Sequence, residues 1–407
     1  MKVKLLASKY NEVLKRGVSS FGVNSITVFI ILSSLTISAM YTIVRYSTEI
    51  INGGHPNLTG DWLINYEGGY AHRGLNGQLL LVVSDYFGLN LLWLTYIEQS
   101  LLYFIFAYSV IRIFSNIKGK FLWLMALNPA FMLFDFLDTG GVFRKELIGL
   151  VCVSLLFKFR TRAKVSNFGI LIIPLLYTLM SFSWDLGSIF LPIILYSYYR
   201  LKQQEIISQL AYKVSVAYFL AVTGGSFVGI LYFISHRNQS ISIGICNSLT
   251  ERGIGSNICG SVINSITMLE LDLFSRAKNL LSGSDYPWYL PVLILAVIPI
   301  CWSGWVKVNV NLTILIFFSV LPLWIIEIDY GRNIHILITL LTLSWAIDGK
   351  VRDVKRLDLH KLPSTFRNQL CFLIFSILYT LSWRVPHAGG LPRAAFLGVF
   401  GRILSWF

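Results

Sequence analysis

Long apolar runs alternate with short polar stretches along the whole chain, and the polar stretches are of two kinds: basic ones and glycine-rich ones carrying acids. About 20 apolar residues cross a bilayer as a helix, and Lys/Arg-rich loops stay on the cytoplasmic side. On those two rules the pattern predicts eleven helical spans, at 24–45, 89–114, 121–137, 145–159, 167–183, 186–200, 211–234, 288–305, 311–327, 332–348 and 368–384. The expected fold is therefore all-α and polytopic, a single transmembrane domain over 24–384. It follows a cytoplasmic segment, 1–23, that shows no cleavable signal pattern. An odd number of spans places the carboxyl terminus outside. Asn128-Pro129, Pro174, Pro192 and Pro322 interrupt the runs, and each is expected to bend or break a helix.

Two external segments are long, 46–88 and 235–287. The first contains an amphipathic stretch, Leu75 to Phe87. The second contains Ile266 to Leu281, whose Leu269, Leu273 and Leu280 share a helical face suited to the membrane surface. The tail 385–407 reads as a further external interfacial helix.

Composition agrees with this picture: 55% of the 407 residues are hydrophobic and 13% charged, against about 25% charged in soluble domains. The net charge of +14 does not indicate a nucleic-acid partner. Under the predicted topology 22 of the 34 Lys and Arg fall in cytoplasmic segments with only four of the 20 acids, so the basic excess is an insertion signal. Of the five cysteines, Cys152, Cys301 and Cys371 lie in apolar runs and read as core residues. Cys246 and Cys259 lie in the second external segment and are a candidate disulfide, with two free thiols as the alternative.

The candidate chemistry lies at the external ends of the spans. Asp61, His72, Arg73, Asp138, Arg144, Lys145, Glu146, Asp185, Asp329, Arg332 and Arg384 all fall at that level, although they are spread over more than 300 residues. Taken singly, each could be a charge snorkelling from a wet helix end. As a set they adjoin Gly68-Gly69, Gly74, Gly140-Gly141 and Gly331, residues that allow tight turns and close backbone approach to a ligand. Arginine is the side chain suited to pyrophosphate, so Arg73, Arg144, Arg332 and Arg384, with Lys145, are candidate pyrophosphate ligands. Asp138 or Asp329 could act as general base toward a sugar hydroxyl. Arginines would stabilise the departing pyrophosphate, so neither a metal nor another cofactor is called for. Trp62, Tyr66, Tyr70, Trp184, Tyr330 and Trp383 could stack on sugars, though an interfacial aromatic belt explains them equally. His55, His72, His335 and His387 are assigned to the external side and lack metal-site spacing.

The run Asp61 to Gly77, with Tyr-x-Gly-Gly-x-x-x-Arg-Gly-Leu-x-Gly at its centre, resembles a first-loop motif of Wzy-type O-antigen and capsular repeat-unit polymerases. Asp138-x-Gly-Gly-x-x-Arg144-Lys145-Glu146 and Asp329-Tyr330-Gly331-Arg332 resemble two further signatures of that group. His72 stands where a second basic residue is expected, and Trp184-Asp185 where a His-Glu pair is expected. The resemblance implies a multi-pass protein of the bacterial inner membrane, for which a GT-C-like architecture is an option, with its active site on the periplasmic side. It implies transfer of a growing glycan from undecaprenyl pyrophosphate onto a lipid-linked acceptor repeat unit, among membrane lipids and with a chain-length regulator as a partner. Asp61, Tyr66, His72, Trp184 and Asp185 are then candidate sugar or secondary contacts. Two rival readings stand beside it: a polyprenyl-phosphate-dependent transferase adding one sugar, which would show the same external charges, and a translocase for lipid-linked oligosaccharides, which should line a cavity with charges at mid-membrane depth, where this chain has little beyond Glu98 and Asp135.

Overall fold

A computed structural model describes residues 29–115, 117, 121–160, 167–267, 286–326, 329–351, 366–386 and 398. The amino-terminal segment 1–23, most of the Ile266 to Leu281 stretch and most of the tail 385–407 lie outside the described residues. All regular structure among the described residues is helical. In chain order the helices are α1 (Phe29–Ile51), α2 (Leu58–Trp62), α3 (Leu75–Phe87), α4 (Leu91–Phe114), α5 (Leu122–Ala126), α6 (Met132–Leu137), α7 (Glu146–Arg160), α8 (Asn167–Ser183) and α9 (Leu191–Gln203). They continue as α10 (Gln209–His236), α11 (Gln239–Glu251), α12 (Val262–Ser265), α13 (Tyr286–Trp302), α14 (Trp305–Val308), α15 (Val310–Ile326), α16 (Tyr330–Val351) and α17 (Phe366–Ser382). Three of them, α1, α4 and α10, are long and apolar enough to cross a membrane.

Local chemistry sets several boundaries. Asn90 begins α4 by accepting the Trp93 N–H at 3.1 Å, and Ser208 begins α10 by accepting that of Ala211 at 3.1 Å. Gly88 ends α3 in the left-handed conformation, φ 64°. The run 121–137 forms two short helices instead of one continuous helix. Pro129 cannot continue a helix, and the Asn128 side chain holds the break, accepting from Ala130 N–H at 2.9 Å and donating to the Ala296 carbonyl at 2.8 Å. Pro174 and Pro322 lie inside α8 and α15 without ending them, and Pro192 occupies the first turn of α9, where no N–H is needed. Pro299 lies inside α13 and leaves the Leu295 carbonyl without a helical donor; the Tyr379 hydroxyl supplies one at 2.8 Å.

Helix α7 is the hub. It is buried on nearly every side, from Glu146 through Arg160, and packs on α4, α8, α9 and α16. Ion pairs tie it to α16 at both ends: Arg332 Nε lies 3.1 Å from Glu146 Oε1, and Arg160 Nη2 lies 3.4 Å from Asp348 Oδ1. Like ends meet like ends, so α7 and α16 run in the same direction. The two pairs are separated by roughly 21 Å at 1.5 Å per helical residue. The Trp305 indole also donates to Asp348, at 3.3 Å. The described charges are therefore not confined to one level, because Arg160 and Asp348 form a second buried network at the far end of this helix pair. By contrast α10 exposes most of its length, including Phe227, Val228 and Leu231.

Candidate functional site

Glycine and a short helix shape the first loop so that it folds back over the start of α7. The Trp62 indole in α2 donates to the Phe143 carbonyl at 2.8 Å, and Gln99 of α4 donates to the same carbonyl at 2.9 Å and to that of Leu58 at 3.2 Å. A side chain at Gly77 would collide with the Ile64 backbone, so glycine is required for the approach of α3 to α2. The Asn76 N–H reaches Ser183 Oγ at 3.1 Å, which fixes the loop to the turn after α8.

Asp61 lies at the centre of the resulting cluster. Its buried carboxylate is approached by Arg73 Nη2 at 3.8 Å, Arg144 Nε at 3.9 Å and Lys145 Nζ at 3.8 Å. Arg73 also lies 3.6 Å from Asp185, whose other oxygen meets the His72 imidazole. Backbone carbonyls orient two of the cations: Lys145 donates to that of Arg73 at 2.9 Å, and Arg144 to that of Asn57 at 3.0 Å. Arg332 lies between Glu146 at 3.1 Å and Asp329 at 3.5 Å. Candidates from 61–73, 144–146, 185 and 329–332 thus meet through ion pairs.

The electrostatics follow from crowding. Burial pushes the Asp61 carboxyl up, but Arg73, Lys145, Arg144 and Arg332 outweigh it and hold the group below its ordinary value. Burial likewise works against Asp185, and His72 and Arg73 overcome it, leaving its value at about 2. Arg73, Arg144, Lys145 and Arg332 are matched in number by Asp61, Asp185, Glu146 and Asp329, and Arg144 Nε has no hydrogen-bond acceptor. An anion entering here would replace water and complete the cations' coordination.

Exposure separates the residues that could meet a ligand from those that hold them. Arg73 and Arg144 keep 13% and 14% of their side chains accessible, and Asp185 keeps 24%. Lys145 and Asp61 keep 0% and 1%, so their expected roles change. Neither Lys145 nor Asp61 presents surface to a ligand in this structure, and both lie beneath the accessible edges of Arg73 and Arg144. Trp184 is corrected too. It is buried against Phe190, with ring centres 6.2 Å apart, and presents no face to a sugar. Trp62 and Trp383 are equally buried, and Tyr330 is buried between Tyr289 and Trp324. Asp329 caps α16, with Oδ1 accepting the Arg332 N–H at 3.3 Å. Asp138 is half-buried just after α6, where its carbonyl accepts the Gly141 N–H at 3.1 Å. Arg384 is half-buried beyond α17 and is not among the cations that act most strongly on Asp61.

One feature escaped the sequence reading. His335, assigned to the external side, lies buried within α16. Its ring faces Asp135 at 3.5 Å and the Ala130 carbonyl at 3.1 Å, and Tyr103 donates to Asp135 at 2.9 Å. No local signal joins residues 103, 135 and 335. The candidate disulfide of the second external segment is present and acts as a clamp. Cys246 and Cys259 form a disulfide that links α11 to the turn Ser256–Gly260. Gly68 packs against the backbone of α11, while Gly60 packs against Ile258, so the bridged segment grips the Asp61–Arg73 loop from two sides. Among the described residues no group of three or more His, Cys, Asp or Glu is arranged to hold a metal ion.

No family model matches this chain, and neither does any curated protein or solved structure.

Proposed function

We propose that the protein is a glycosyltransferase of the bacterial inner membrane that polymerises undecaprenyl-pyrophosphate-linked repeat units at its outer face, as O-antigen and capsule polymerases do. The observation that carries this reading is the convergence of Arg73, Arg144 and Lys145 on the single buried carboxylate of Asp61. A cluster that opens through two arginines, one of them with an unmet Nε donor, suits a diphosphate ester better than a neutral ligand. The reading adopts the eleven-span topology with a cytoplasmic amino terminus and a periplasmic carboxyl terminus. That topology requires α7 and α16 to run in the same direction, as their two ion pairs make them do.

The acceptor's sugar hydroxyl oxygen would bond to C1 of the donor glycan. The bond from C1 to the pyrophosphate oxygen would break with its electron pair, releasing undecaprenyl pyrophosphate. Arg73 and Arg144 would stabilise the charge that develops on that leaving group. The hydroxyl proton would pass to a carboxylate. The reading gives this role to Asp138 or Asp329, of which Asp329 also caps α16 and pairs with Arg332.

The test is reconstitution in liposomes with purified undecaprenyl-pyrophosphate repeat units. A ladder of products differing by whole repeats is expected. A single added sugar from a polyprenyl phosphate donor would overturn the reading in favour of a monosaccharide transferase. Movement of the lipid across the bilayer without a new bond would overturn it in favour of a translocase.

A further inference from the structure

We infer that Tyr66 and Tyr70, continued by Tyr232 and His236 of α10, form a carbohydrate subsite that receives pyranose rings of the lipid-linked glycan; the assignment of the ligand rests on the function proposed above. With Trp62, Trp184, Trp383 and Tyr330 buried, these rings are the aromatic faces left near the charged cluster. Tyr66 and Tyr70 are parallel within 7°, with centres 5.8 Å apart. Tyr70 meets Tyr232 edge-on at 5.6 Å, and Tyr232 stacks on His236 at 4.2 Å. The row is continuous with the cluster, because Tyr70 is three residues from Arg73 and the His72 ring lies 4.5 Å from Phe233, the neighbour of Tyr232.

Glycine seats both tyrosines. A side chain at Gly74 would collide with the Tyr66 ring, and one at Gly229 would collide with the Tyr70 hydroxyl. Gly229, Tyr232 and His236 follow at helical spacing on α10, so Tyr70 is laid across one face of that helix. Such fixed, half-exposed rings suit the flat C–H face of a pyranose and lose little entropy on binding. Hydroxyl recognition is available beside them. Exposed Glu67 accepts from the Gln78 amide at 3.2 Å, and the Gln78 carbonyl accepts the Tyr66 N–H at 2.9 Å. A carboxylate and an amide beside two aromatic faces would pair with sugar hydroxyls. A purely interfacial belt has no need for Gly74 and Gly229 beneath the rings.

Saturation-transfer NMR on the full chain in nanodiscs tests this with the methyl pyranosides of glucose, galactose, N-acetylglucosamine and rhamnose. At least one should receive saturation. Tyr66→Ala and Tyr70→Ala should weaken it at least about tenfold, a loss of ~1.4 kcal/mol, and Tyr66→Phe should retain it. Gly229→Val, which leaves every recognition side chain in place, should also lose it by displacing Tyr70. Inorganic pyrophosphate binding, measured in the same samples, should be unchanged by these variants, which also controls for folding. The subsite is overturned if no pyranoside binds, or if binding survives Tyr66→Ala and Gly229→Val. Failure of the functional reading looks different: pyrophosphate would not bind, or would bind equally to Arg73→Gln, with pyranoside binding intact.

Discussion

On the proposed function, alanine at Arg73 or Arg144 is expected to lower repeat-unit polymerisation by at least about a hundredfold while leaving the protein in the membrane at wild-type level. The size follows from the loss of a preorganised charge facing a leaving group, which costs about 10²- to 10³-fold in comparable sites. These two guanidiniums are singled out because each reaches Asp61 from a different loop and keeps an accessible edge. Arg252 provides the control. Its guanidinium pairs with Asp85 on the surface, at 2.9 Å and 2.7 Å, and exposed pairs of this kind contribute about 0–1 kcal/mol. Arg252→Ala should give a normal ladder. Chain-length profiles on gels, read beside quantitative immunoblots of the membrane fraction, decide the matter. Normal chain lengths in both arginine variants would remove the cluster from catalysis.

Asp61→Ala should have the largest effect on stability, lowering it by about 3–5 kcal/mol, as expected when one partner of a buried ionic group is removed. Three cations share this one carboxylate, and Lys145 is fully buried beside it. Without the anion their charges repel across a distance that water does not screen. Asp61→Asn should cost less, since the amide keeps the shape and an acceptor oxygen. Adding Lys145→Met to Asp61→Asn should recover part of the loss, because contacting charges are not additive. Thermal unfolding in detergent measures all three variants. Asp61→Ala melting with the wild type would mean that the cluster does not depend on its central anion.

The two effects show where sequence reasoning stops at this site. Arg73, Arg144 and Arg332 stood out because external arginines run against the insertion bias and adjoin glycines. Asp61 did not stand out as central, since one aspartate before a tryptophan carries no local mark. Its role comes from Lys145, 84 positions away along the chain, and from the return of the first loop over α7. Trp184 and Trp383 looked like ring faces for sugar because composition does not distinguish a tryptophan at an interface from one inside a bundle. Tyr70 is half-exposed for a reason that only packing supplies, namely the absence of a side chain at Gly229 on a helix 159 residues later.

What the sequence determined by itself is what short-range physics controls. Apolar runs specify helices, Asn90 and Ser208 start them, Asn128-Pro129 breaks one, and the basic loops carry the sidedness signal, because each of these depends on neighbours within a turn or two. What only the tertiary structure decided is which charges share a carboxylate, which aromatics keep a free face, and that Asp135 meets His335. Those outcomes depend on the packing of α4, α7 and α16 around one another, and a buried charge takes its partner from whichever segment the fold brings within about 4 Å.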